Sequence, residues 1–225
     1  MLPTLRREIW GEFRRSRGEV CRLFFLFSLS IALGSSTVFG SPQPSESPTE
    51  VVRATLTAVF QILEDPTLKD PAKLMPRRRK LESVIAERFD YEEMSKRALA
   101  ATWTSLTKEQ RTEFVDLFKS FLSDRYAGKI EGYSGEKVQY LSERLEGQYA
   151  EVRTKLVSSK VEIPMDYRLI NKGGRWYAYD IIVDGVSLVK NYRSQFDKII
   201  RSGSYEELTT RLRNRSVGED KKEKR

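Results

Sequence analysis

Histidine is absent from this 225-residue sequence, and cysteine occurs once, at Cys21. Without histidine there is no Ser-His-Asp triad, no Cys-His nucleophile pair and no HExxH zinc site. A single cysteine excludes an intrachain disulfide and a cysteine-rich metal site. A glycine-rich phosphate loop is also missing, since Gly173-Gly174 joins two strand-like runs and opens no helix. No cluster of acids has calcium-loop spacing, so neither a metal nor a cofactor is expected. No internal repeat is visible, and the length suits a single domain with a substantial core.

Charge is present, but its placement is uneven. The chain holds 40 Lys+Arg and 32 Asp+Glu, a formal +8. Residues 1–40 carry six Arg and three acids, residues 211–225 carry seven basic residues and three acids, and residues 41–210 carry 27 basic and 26 acidic residues. A nearly neutral body between basic ends argues against nucleic acid as a partner.

The N-terminal excess reads as an address. Arg6, Arg7, Arg14, Arg15, Arg17 and Arg22 precede the apolar run LFFLFSLSIAL at 23–33, which has the length of a signal-peptide core and is short for a membrane span. Small residues follow, so residues 1–40 are expected to be a signal peptide cleaved after Gly34 or Gly40. A retained anchor is the alternative, because 23–39 could cross a thin bilayer. Arg14-Arg15 lacks the apolar residues of a twin-arginine signal, which favours the general secretory route. Cys21 lies before the apolar run and leaves with it. Residues 41–49 (SPQPSESPT) read as a flexible linker, and 213–225 as a disordered basic tail.

Between these ends, periodicity predicts helices, then strands, then helices. Val52, Leu56, Val59 and Leu63 recur at helical spacing over 50–64. A second helix is expected over 76–88, with Pro76 in its first turn. Asp90 caps a third, with Phe89 stapled to Met94, and Thr107 with Gln110 opens a fourth. From Ala150 the period becomes 2. Ala150, Val152, Thr154 and Leu156, then Val161, Ile163, Met165, Tyr167 and Leu169, alternate with polar residues. A third strand covers 175–183, and a shorter one near 137–141 precedes them. Two further helices follow, the last opened by Ser204 and Glu207. The expected fold class is α+β: a curved antiparallel sheet of about four strands packed against helices.

Few residues carry chemistry. Strict alternation puts Asp180 on the strand face of Trp176, Ala178 and Ile182, where a buried carboxylate needs a partner such as Arg193 or a tyrosine hydroxyl. Asp180 is therefore either a strand–helix tie or a general base in an apolar pocket beside Tyr167, Tyr179 or Tyr192. Arg77, Arg78, Arg79 and Lys80 fan around a helix start and oppose its dipole, which suggests docking to an acidic protein or to anionic lipid. The many aromatic and apolar residues make either an ordinary core or a cavity for an apolar ligand between sheet and helices.

Three separated runs carry a resemblance: 165–169 (MDYRL), 174–181 (GRWYAYDI) and 184–196 (DGVSLVKNYRSQF), supported upstream by 89–94 (FDYEEM) and 106–114 (LTKEQRTEF). Over about 50–212 the chain resembles the MlaC family, which includes the toluene-tolerance auxiliary proteins. The resemblance implies a non-enzymatic periplasmic carrier of glycerophospholipid. Its implied partners are an outer-membrane lipoprotein–porin complex and an inner-membrane ABC transporter complex with an MCE-domain subunit. The implied apolar ligand cavity is expected to use Val152, Leu156, Ile163, Met165 and Tyr167 with Leu188, Val189, Tyr192 and Phe196, and also Phe114, Leu117 and Phe121. A small cavity-containing enzyme using Asp180 and a non-catalytic envelope interaction protein remain the alternatives.

Overall fold

The computed structural model describes residues 46–158, 162–215 and 217. The expected signal peptide, most of the linker and residues 218–225 of the tail lie outside the described residues.

Helix α1 spans Pro48–Glu64, two residues earlier than the apolar spacing marks. Ser47 accepts a hydrogen bond from the Glu50 N–H at 3.2 Å and Pro48 occupies the first turn, so the end of the Pro/Ser segment is the helix start. Two short 3₁₀ turns, Pro66–Leu68 and Pro71–Lys73, lead into α2, Leu74–Ala86. Helix α3 spans Tyr91–Leu99 with Asp90 capping Glu93, and the short α4 covers Ala101–Ser105. Helix α5, Lys108–Glu131, opens on the expected reciprocal Thr107–Gln110 box.

The sheet is an antiparallel meander in chain order. Its strands are β1 Lys137–Glu146, β2 Tyr149–Val157, β3 Glu162–Lys172, β4 Arg175–Val183 and β5 Val186–Ser187. Gly173 and Gly174 hold the positive φ values that the tight β3–β4 turn requires. The two-residue β5 is the one strand that periodicity gives no hint of. It exists because Asp184 and Gly185, both at positive φ, fold the chain back on β4. Helix α6, Leu188–Ser202, follows at once, and α7 covers Tyr205–Arg213.

Two strands contain an extra residue. In β3–β4, Arg168 faces Asp180 but Leu169 faces Ala178, so Tyr179 bulges from the ladder. In β1–β2, Leu141 is the extra residue. The β4 bulge reverses the alternation beyond it. Asp180 therefore lies on the opposite face from Trp176 and Ala178, which corrects the strict-alternation reading.

The two sheet faces bury different cores. Val51 and Val52 of α1 pack with Ala150, Val152, Tyr167, Leu169, Trp176 and Ala178. On the other side Ile170 and Tyr179 join the helical core of α3, α5, α6 and α7. That core is aromatic: Phe118 meets Tyr192 edge-on at 5.4 Å and Phe196 at 5.2 Å. The folded body also runs past the expected boundary at 212. Arg215 pairs with Asp124, and Val217, 1% exposed, is buried in the helical core.

Candidate functional site

A cavity of about 880 Å³ lies between the sheet face of Ala178 and helices α1, α2 and α5. This is toward the upper end of the range of roughly 300–1,000 Å³ common for ligand sites. Alternation and register build its sheet wall: Val138, Thr154, Leu156, Ile163, Met165, Tyr167, Leu169, Ile181 and Val183. No charged residue of the sheet lines it. Helix α1 supplies Val52, Leu56, Val59 and Phe60, α2 supplies Leu81 and Ile85, and α5 supplies Leu122, Tyr126 and Ile130.

The polar atoms of the sheet wall are used within it. The Thr154 hydroxyl donates to the Met165 carbonyl, and the Tyr167 hydroxyl points at the Met165 sulfur at 3.0 Å. Burial pushes the Tyr167 phenol well above its ordinary value, so it stays neutral. Tyr91, also at the wall, is pushed up to about 12, chiefly by burial and secondarily by Glu82.

Charged wall residues come from the helices and the segments that join them, and several are paired. Arg78 of α2 makes two hydrogen bonds to Glu131 at the end of α5, at 2.7 and 3.0 Å. Glu82 accepts from Ser123, and Tyr133 donates to Glu64 at 3.0 Å while stacking on Phe60. The Arg78 hydrogen bond holds the Glu131 carboxyl below its ordinary 4.5. The stability this pair adds is therefore present above pH 4.5 and is lost as pH falls through the lowered value. In an NMR titration, Arg78→Ala is expected to move the Glu131 midpoint upward. An unchanged midpoint would assign its low value to another cause.

Leu156, Ile163, Met165, Tyr167 and Leu188 of the expected site stand on the cavity wall. Val152 shares their sheet face but is sealed under α1, at 0% exposure. Val189, Tyr192, Phe196, Phe114 and Phe121 are buried in the helical core behind the sheet, with Leu117 packed against it. Phe114 and Phe121 of α5 meet Phe196 and Tyr192 edge-on in that core, and the α6 side chains face it because α6 crosses the reverse face of the sheet. Only Leu188 and Asn191, in its first turn, reach the cavity. Periodicity alone does not point to the α1 and α2 walls. The stripe Val52, Leu56 and Val59 is plain in the sequence, but nothing there says what it faces.

Asp180 stands outside the cavity wall. It accepts from the Ser187 hydroxyl at 2.6 Å and the Val189 N–H at 3.0 Å, with Arg168 at 3.4 Å. The tie to α6 is therefore made through the start of that helix. Arg193 is exposed further along α6 and is not one of Asp180's partners. The basic run divides: Arg78 turns to Glu131, Arg77 is half-buried, and Arg79 and Lys80 are exposed. Among the described residues no group of acids could hold a metal, and no helix is long and apolar enough to cross a membrane.

Fold and site together define an α+β protein that encloses an apolar cavity behind charged helical edges. A model of the MlaC protein family matches residues 53–214. The chain belongs to that family. It is 25% identical over 122 residues to the intermembrane phospholipid transport system binding protein MlaC of Haemophilus influenzae, spanning 52% of this chain and 57% of that relative's length. It is 26% identical over 166 residues to the toluene tolerance protein ttg2D of Pseudomonas putida, covering 71% of this chain and 76% of that protein. The phospholipid-binding protein of Ralstonia solanacearum, solved in complex with a phospholipid, superposes with a TM-score of 0.65 at 26% identity, over 73% of this chain and 94% of that one.

Proposed function

We propose that this protein is a periplasmic carrier that holds glycerophospholipid by its acyl chains and moves it between the inner and outer membranes. In this reading its donors and acceptors are an inner-membrane ABC transporter complex with an MCE-domain subunit and an outer-membrane lipoprotein–porin complex. The observation that carries the reading is the cavity itself, with a sheet wall free of charge and a volume of about 880 Å³.

The energetics require such a container. Two acyl chains hold roughly 30 methylenes, and exposing each to water costs about 0.8 kcal/mol, or roughly 24 kcal/mol gross. A cavity that replaces the bilayer environment removes most of that barrier. The headgroup stays at the polar edge, and the carrier holds its ligand without transforming it. Direction is then set by partners that differ in affinity for the filled and empty forms.

Native mass spectrometry of protein purified without detergent is expected to show a bound diacyl phospholipid. Delipidated protein is expected to take one up again from vesicles. A delipidated, folded protein that acquires no diacyl lipid would sink the reading.

A further inference from the structure

Helices α1, α3, α5, α6 and α7 each begin on a capping side chain: Ser47, Asp90, Thr107, Ser187 and Ser204. Helix α2 does not. It starts after Lys73, has no side-chain cap and carries no acid in its first turn. Residues 69–80 hold six basic residues and one acid, although residues 41–210 as a whole are nearly neutral. Asp70 caps the 3₁₀ turn that runs directly into α2, but a helix start that concentrates cations opposes its own dipole, and such violations mark places selected for something other than stability.

The structure divides this run by direction. Arg78 is committed to Glu131. Lys69, Lys73, Arg79 and Lys80 are exposed, and among the described residues none of the four makes an ion pair. The neighbouring acids are occupied locally, with Asp65 accepting from the Thr67 N–H and Asp70 from the Ala72 N–H, each at 2.8 Å. Between the cations stand two apolar side chains that no core covers: Leu74 is 37% exposed and Met75 56%.

We propose that this corner docks the protein on an anionic lipid bilayer. Leu74 and Met75 enter the headgroup layer, while Lys69, Lys73, Arg79 and Lys80 meet lipid phosphates. Exposed apolar side chains flanked by long cations are the composition of an interfacial anchor, in which burial and charge attraction add. An acidic protein partner accounts for the cations but gives Leu74 and Met75 nothing to do. Other side chains of α2, Leu81 and Ile85, line the cavity. Docking here therefore sets the helical wall of the cavity against a bilayer. The inference goes beyond lipid carriage and stands whether or not the cavity holds a phospholipid.

The test is vesicle flotation with the protein purified as the cell processes it. The probes are vesicles of phosphatidylglycerol and phosphatidylethanolamine, and vesicles of phosphatidylcholine alone. The first kind is expected to carry the protein, with binding that weakens as salt rises, and the second is not. The combined variant K73E/R79E/K80E is expected to bind the anionic vesicles roughly a hundredfold more weakly, each cation near such a surface contributing about fivefold. L74S/M75S keeps the charge and is expected to bind several-fold more weakly. Circular dichroism and cavity lipid content are expected to be unchanged in both variants. Equal binding by wild type and both variants would overturn the proposal, as would equal binding to both vesicle types. Binding to immobilised polyglutamate without binding to anionic vesicles would overturn it in favour of an acidic protein partner.

Discussion

Leu156→Trp combined with Ile163→Trp is expected to empty the cavity of lipid while leaving the fold intact. The two residues are direct cross-strand partners on β2 and β3. Both are half-buried because their side chains border the cavity and not a packed neighbour. Two indoles projecting from one spot would take up space that acyl chains need. Overpacking a filled core costs about 1–3 kcal/mol, but a side chain enlarged into a void meets no such resistance. Lipid extracted per mole of protein is expected to fall several-fold, with the thermal midpoint unchanged or raised. Val152→Trp is the control. Val152 lies two residues from Thr154 on the same strand face but is fully buried under α1. Its enlargement is expected to destabilise by about 1–3 kcal/mol. If the double tryptophan variant retained its lipid, the ligand would lie elsewhere.

That contrast between Leu156 and Val152 is where sequence reading reached its limit. Alternation placed both on one face of β2, and that was correct. It could not say that α1 closes over one end of the face and stands clear of the other. The same limit explains the misplaced aromatic residues. The stripe Val189, Tyr192 and Phe196 announces a buried helix face, and the buried edge-on contacts of Phe118, Tyr192 and Phe196 bear that out. A sheet has two faces, however, and the stripe carries no label for which one it covers. Helix starts were more legible, because capping is local chemistry: Asp90, Thr107 with Gln110, and Ser204 are all caps. Helix α2 begins at Leu74, two residues before the expected 76, because its capping residue, Asp70, sits ahead of an intervening 3₁₀ turn and not at the α-helix start itself. Least legible was the bulge at Tyr179. One extra residue in β4 carried Asp180 from the cavity face to the α6 face, and nothing in the residues 176–183 marks it.

Asp180→Ala is expected to cost about 3–4 kcal/mol of folding stability and to leave lipid content per folded molecule unchanged. The carboxylate is 2% exposed and closes a short network at the start of α6. Ser187 donates its hydroxyl proton to one carboxylate oxygen and accepts from the Lys190 N–H at 3.0 Å, so one side chain both caps the helix and anchors it to β4. The Val189 N–H donates to the other oxygen. Hydrogen bonds to a charged group contribute about 1.5–3 kcal/mol each, and the N-terminal end of α6 favours negative charge there. Removing the carboxylate leaves the Val189 N–H buried without its acceptor, while Arg168, about one-third exposed, turns to water or to Glu151, 3.6 Å away. Asp180→Asn keeps the shape and one acceptor, so it is expected to be milder. Ser187→Ala is expected to cost about 1–2 kcal/mol, and less than that once Asp180 is already alanine, because the two act through one bond. Arg193→Ala, on the exposed side of α6, is expected to change stability by less than about 0.5 kcal/mol. Denaturant melts of these five variants, the Asp180→Ala/Ser187→Ala double included, measure these costs directly. A stable Asp180→Ala protein that had lost its lipid would place the carboxylate in the cavity after all. The geometry predicts the reverse, because Asp180 acts on the helix that shuts the back of the sheet and the cavity lies at the front.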